Sequence, residues 1–156
     1  MKKRQFYGLV MTILIVSQLV SITLAYAEWK ETEISRKVSL PRKITISPPS
    51  PDLPKEIAGF SGRWEGIWEA NSVPSILIVE KIDLKEAQVI NAWGLSVHFK
   101  PDYDRCKAKV IGKEIQFTSM RCQFKFVMGE DLETIKGVRE CPGSGISSSI
   151  TMKKIE

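Results

Sequence analysis

The stretch Gly62-Arg63-Trp64-Glu65-Gly66-Ile67-Trp68 places two tryptophans four residues apart, each two residues after a glycine. In a β-strand, Trp64, Gly66 and Trp68 point to one face, because successive side chains alternate between faces. Two large indoles are costly to expose, so this face is predicted to line a core or a ligand cavity. Gly66 leaves room for the close approach of another backbone or for a bulge. The pattern predicts the first strand of a small barrel.

Short strands follow this one at regular intervals, with turn residues between them. Ile76–Ile82 is almost continuously apolar, which predicts a strand buried on both faces. Cys122–Met128 alternates in polarity, and Gly112-Lys113 is typical of a tight hairpin. The chain is predicted to be all-β, a small antiparallel up-and-down barrel of about eight strands without a helix, because closure removes exposed edges. The predicted strands are 63–69, 76–82, 87–93, 107–111, 114–119, 122–128, 132–139 and a last one from 146.

We divide the chain into a signal peptide (1–27), a proline-rich linker (28–58) and a barrel domain (59–156). The first segment has a charged start, a long apolar run and an A-x-A site at Ala25-Tyr26-Ala27. An uncleaved membrane anchor is the alternative, because the apolar run approaches the roughly 20 residues that span a bilayer. The linker is typical of a flexible spacer, although Val38–Ile46 could pair as an edge strand. We expect an exported protein, periplasmic or secreted, that meets a membrane only if its signal segment is not cleaved.

The positive charge of the chain belongs largely to its first residues. Removing Lys2, Lys3 and Arg4 from the formal net charge of +5 leaves +2. The remaining charges are interspersed, as on an ordinary solvated surface. The charge pattern therefore predicts no nucleic-acid partner.

Cys106, Cys122 and Cys141 are the only cysteines. An oxidising compartment favours one disulfide, with one thiol left over. The up-and-down order places all three at the same end of the barrel. Cys122 and Cys141 flank one hairpin and are the preferred pair, with Cys106–Cys122 the close alternative. No C-x-x-C pair is present and His98 does not complete a zinc motif, so neither a metal nor a cofactor is predicted.

Three motifs resemble a small barrel domain of exported bacterial proteins. They are Phe60-Ser-Gly-Arg-Trp-Glu-Gly-Ile-Trp68, Leu77-Ile-Val-Glu-Lys-Ile82 and Ala87-Gln-Val-Ile-Asn-Ala-Trp-Gly94. The resemblance covers Gly59 to Lys154 and implies a fold similar to the calycins, the lipocalin-type barrels, in a domain found alone or beside hydrolase-like domains. Gly62-Arg-Trp64 also fits the lipocalin G-x-W pattern. That resemblance implies that Lys153 or Lys154 covers an indole by a cation–π contact.

Aromatic residues supply the candidate ligand-binding groups, which are Trp64, Trp68, Trp93 and Tyr103, together with His98. Aromatic rings that converge inside a barrel stack on a sugar or enclose an apolar ligand. The alternative is that they fill the interior themselves, because a barrel of about eight strands holds only side chains or one small ligand.

No catalytic residue is predicted. His98 has no named nucleophile or acid partner, although Ser96, Asp102 and Asp104 are near it in sequence, and the G-x-S-x-G motif is absent. We expect a non-enzymatic module that binds a small apolar or aromatic-stacking ligand, including a glycan. The alternatives are an accessory domain that binds an envelope protein beside a hydrolase and, third, a hydrolase.

Overall fold

The protein is described by a computed structural model over residues 32–155, and the predicted signal peptide lies outside these residues. Eight antiparallel strands close into a barrel in sequence order, with the last paired to the first. This confirms the predicted fold class. The strands are β1 Gly62–Ile67, β2 Pro74–Ile82, β3 Glu86–Trp93, β4 Asp102–Ile111, β5 Glu114–Ser119, β6 Cys122–Met128, β7 Thr134–Cys141 and β8 Ile146–Ile155.

The largest difference from the predicted strands is in β4, which begins at Asp102 rather than Lys107. Its first half pairs with β3 as far as Trp93, and this pairing compensates for its polar composition. On its other side the register with β5 covers only Lys109–Ile111. The wall between β4 and β5 therefore has a backbone ladder at one end of the barrel only.

Among the described residues, two short helical segments precede β1, a 3-10 turn at Ser35–Lys37 and the α-helical turn α1 (Lys55–Ala58), although no helix was predicted. The second of them enters the barrel. Ile57 and Phe60 insert from this turn into the barrel core. They close the end at which β1 begins, which we call the closed end, and the opposite end is the open end. Within residues 32–155 no helix has the length and apolar character needed to cross a bilayer.

Trp64 is fully buried at the closed end. Its indole Nε1 donates a hydrogen bond to the Phe60 carbonyl at 2.8 Å. The Lys154 ammonium lies 5.2 Å from the ring centroid and donates to the Gly59 carbonyl at 2.8 Å. The expected cation–π contact is thus confirmed, with Lys154 as the cation, and it ties β8 to the chain that enters the barrel.

β1 and β8 approach each other closely at Gly66. An added Cβ would lie 2.6 Å from the Thr151 carbonyl oxygen and 3.1 Å from Ile150 Cγ1. The sequence predicted such an approach, and its location is the pairing of β1 with β8 that closes the barrel. Trp64, Gly66 and Trp68 share the inward face, as expected.

The outer face of β2 is also buried, which confirms the prediction for Ile76–Ile82. Ile76 and Ile78 form a second apolar cluster with residues of the segment predicted as a linker. Val38 forms an isolated bridge with Gly94, so the predicted edge strand is reduced to one residue. This part of the segment lies along the barrel, whereas the predicted boundary at residue 58 stays a prediction. The segment contributes Ile34, Val38, Leu40, Ile44 and Ile46.

We expect Gly66→Ala to lower the free energy of unfolding by about 1–3 kcal/mol, because the new methyl overlaps the β8 backbone. Urea unfolding measures the change. Gly143→Ala is the matched control, since nothing lies within 4 Å of its added Cβ, and we expect it to stay within about 0.5 kcal/mol of the parent. Equal stability of the two variants would contradict the close approach of β1 and β8.

Candidate ligand-binding site

A cavity of about 480 Å³ opens at the open end of the barrel. This volume is in the range of small-molecule pockets. Its apolar lining includes Trp68, Val73, Trp93, Phe99, Phe124 and Ile146. Its polar lining includes Ser75, Asn91, His98, Arg121, Arg139 and Ser144.

A larger depression of about 720 Å³ lies along β4–β7, and the core residues Phe117 and Phe124 are part of its lining. Exposed side chains such as Lys107, Lys109 and Lys125 line it. It is an open concave surface of the sheet with a largely charged and amide lining. The smaller cavity is the better candidate site, because it is concave, apolar and formed by convergent aromatic rings.

Trp68 forms the floor of the cavity and is only 2% exposed. Its ring meets Phe124 edge to face, with centroids 5.9 Å apart, and Phe126 at 6.3 Å. Its Nε1 donates to Ser75 Oγ at 2.9 Å. Ring contacts and this hydrogen bond fix the indole, so one residue belongs both to the core and to the cavity wall.

The loop between β3 and β4 forms one side of the mouth. Trp93 Nε1 donates to the Lys100 carbonyl at 3.1 Å, which ties the start of the loop to its end. The Ser96 hydroxyl accepts hydrogen bonds from the backbone N–H groups of His98, at 3.2 Å, and Phe99, at 3.0 Å. This local turn orders the backbone that carries Phe99 and His98 at the mouth.

The open end of the β4–β5 wall is joined by side chains. Ser119 Oγ donates to Asp104 Oδ2 at 2.6 Å and accepts a hydrogen bond from Asn91 Nδ2 at 3.3 Å. These bonds lie beyond the short β4–β5 register. The second bond uses an N–H donor of Asn91 that would otherwise be offered to a ligand.

The structure places three of the five predicted binding residues at this cavity: Trp68, Trp93 and His98. Trp64 lies at the closed end under Lys154. Tyr103 packs with the outer cluster that covers Ile76 and Ile78, because it pairs with Ala92 on the outward face of β3. We therefore leave Trp64 and Tyr103 out of the candidate site.

The sequence reading missed Arg139, which lines the cavity. Its guanidinium carbon lies 4.7 Å from the centroid of the Trp68 ring. The alternation in β7 could have predicted that Arg139 faces inward, because Ile135 and Gly137 are the preceding inward positions. Charged residues are rarely buried, so an arginine in that register was not read as inward. Burial lowers the pKa of Arg139 through loss of hydration.

Met120 and Arg121 form the two-residue turn between β5 and β6 at the mouth. Both have left-handed backbones, with φ of 51° and 64°. A type I′ hairpin requires this conformation, and Asn-Gly is the preferred sequence for it. Neither Met nor Arg suits the left-handed region, so the turn carries backbone strain beside the cavity.

The Cys122 and Cys141 sulfurs lie within disulfide bonding distance at the mouth, which confirms the preferred pair. They join the start of β6 to the end of β7. Cys106 is the free cysteine of the described residues. Burial, with Asp104 as a further cause, raises the pKa of its thiol. A raised thiol pKa disfavours the nucleophilic thiolate.

His98 is exposed at the mouth and makes an edge contact with Phe99, with ring centroids 6.3 Å apart. The Ser96 hydroxyl accepts backbone N–H bonds, and the Asp104 carboxylate accepts the Ser119 hydroxyl. The described residues thus provide no hydrogen-bonded pair of nucleophile and base at His98. Residues 32–155 also contain no group of three His, Cys, Asp or Glu side chains able to hold a metal ion.

No family model matches the chain, and no curated protein matches it significantly.

We expect the double variant Cys122→Ser/Cys141→Ser to lose about 3 kcal/mol of unfolding free energy, because the cross-link constrains the unfolded chain. Urea unfolding with and without reductant measures this loss. Reductant should destabilise the parent and Cys106→Ser alike and leave the double variant unchanged. A reductant effect that persists in the double variant would contradict the assignment.

We expect Arg121→Gly to raise the free energy of unfolding by about 0.5–1 kcal/mol, because glycine adopts the left-handed conformation without strain. The matched control is Lys113→Gly in the β4–β5 turn, where Gly112 already occupies the left-handed position. Glycine at Lys113 only adds chain entropy to the unfolded state, so this control should be less stable than the parent. A loss of stability in Arg121→Gly would contradict strain in the turn.

Proposed function

We propose that this chain is an exported, non-enzymatic module that binds a small, largely apolar ligand at the open end of its barrel. The observation that carries the proposal is the cavity of about 480 Å³, whose floor is Trp68. The interior side chains fill the closed end around Trp64 and leave this space at the other.

The chemistry of the wall favours an apolar ligand over a glycan. Aromatic faces bind either, but a buried sugar needs polar partners for its hydroxyls. Ser75 accepts the Trp68 N–H, and Asn91 donates to Ser119. Because these two groups already have partners in the wall, they are less available to sugar hydroxyls.

Exposed apolar side chains at the mouth support entry of such a ligand from this end. In the β3–β4 loop, Leu95 is 69% exposed, Val97 92% and Phe99 42%. A group of exposed apolar side chains beside an apolar cavity is typical of a binding surface. The predicted signal peptide and the Cys122–Cys141 pair support export, since disulfides persist in oxidising compartments.

The proposal is tested with the neutral fluorophore N-phenyl-α-naphthylamine, whose emission rises in apolar surroundings. We expect saturable binding, with energy transfer from the tryptophans at the cavity. Phe99→Ala should weaken binding about tenfold, because it removes apolar surface that the ligand would cover.

Leu84→Ala is the matched control, because Leu84 is an exposed apolar side chain, 60% accessible, in the β2–β3 turn at the closed end. It should bind the fluorophore as the parent does. Absence of saturable binding, or equal weakening in the two variants, would contradict a ligand site at the open end.

A further inference from the structure

Arg139 brings a positive charge into the apolar cavity, and no carboxylate of residues 32–155 forms a salt bridge with it. Its Nε is buried and has no hydrogen-bond partner among the described residues. The salt bridges found within residues 32–155 join other pairs. The Trp68 ring, 4.7 Å from the guanidinium carbon, is the contact that the structure gives this group.

This arrangement leaves the Nε–H donor of the guanidinium without an acceptor among the described residues. A cation–π contact occupies the flat face of the group, whereas its five N–H donors point outward in the plane. Buried donors without acceptors are costly, and native proteins contain few of them. Such a group in a cavity indicates an acceptor that is supplied from outside the chain.

The other charged groups of the cavity have the same sign. Arg121 lies in the lining at the mouth, and no aspartate or glutamate belongs to the lining. The Asp104 carboxylate, at the β4–β5 wall, accepts the Ser119 hydroxyl. Glu140 lines the larger depression along β4–β7. The field inside the cavity therefore favours a negative ligand.

We propose that the cavity binds a small amphiphile that carries a carboxylate, with the carboxylate oxygens on the N–H donors of Arg139 and the apolar body against Trp68, Trp93 and Phe124. A planar carboxylate matches the fork of one guanidinium and neutralises its single charge. This inference rests on the proposed function and adds the charge of the ligand to it.

The test compares two probes with the same chain, dodecanoate and dodecanol, by displacement of N-phenyl-α-naphthylamine from the parent protein. A hydrogen bond between two charged groups favours the acid, and we expect dodecanoate to bind about tenfold more tightly or better. Arg139→Met should abolish this preference and leave dodecanol binding intact, while Arg139→Lys should keep part of it.

Lys136→Met is the matched control, because it removes one positive charge from the same strand at an exposed position. It should keep the full preference for dodecanoate. The thermal melt of each variant checks its fold, and nitrogen–proton NMR of the Arg139 side chain gives an independent readout. The Nε–H signal should shift on addition of dodecanoate and stay in place with dodecanol.

The two proposals fail in different ways. Equal affinity of the parent for dodecanoate and dodecanol, or a preference unchanged in Arg139→Met, would overturn the carboxylate site and leave the apolar site standing. Failure of the fluorophore and both probes to bind the parent would overturn the proposed function itself.

Discussion

The close approach of β1 and β8 at Gly66 is the constraint on which the rest of the molecule depends. With no side chain at this position, the β8 backbone reaches β1 and completes the barrel. β1 is then paired on both sides, so its register with the neighbouring strands is fixed. The fixed register keeps both tryptophans on the inner face of the barrel. A closed barrel also has no edge strand to expose.

Trp64 in β1 and Trp68 directly after it are each covered by a cation, with opposite consequences. Lys154 lies over Trp64 and donates to the Gly59 carbonyl, so its charge has an acceptor within the chain. Arg139 lies over Trp68 with its Nε unpartnered. The first arrangement ties the closed end together, and the second leaves one unpartnered N–H donor at the cavity. The same ring–cation contact thus serves stability at one end and, in our proposal, ligand recognition at the other.

Much of the fold was predictable from local pattern. Alternation in Cys122–Met128 and the run Ile76–Ile82 located strands correctly, and the hairpin flanked by Cys122 and Cys141 identified the disulfide pair. These signals are local, because side-chain alternation and turn chemistry depend on neighbouring residues.

The site was less predictable, because it depends on packing between distant segments. Tyr103 faces outward and packs against a surface that the segment near Val38 covers. The local sequence pattern around Tyr103 does not predict this cover. Arg139 faces inward against the usual preference of arginine for solvent, and its cover is Trp68, far away in sequence. Residues whose position opposes their usual preference for the interior or for solvent are expected at functional sites, where function outweighs stability.

The short pairing between β4 and β5 has a consequence for how the barrel can open. Toward the open end the two strands are joined through Ser119 and its bonds to Asp104 and Asn91, rather than by a backbone ladder. Breaking a few side-chain hydrogen bonds costs less free energy than breaking a row of backbone hydrogen bonds. We therefore expect the barrel wall to open first along the line between β4 and β5. On one side of it β6 and β7 are cross-linked, and on the other β2 and β3 are braced from outside. We therefore expect the barrel to widen along this line, between the cross-linked strands and the braced ones, before it opens elsewhere.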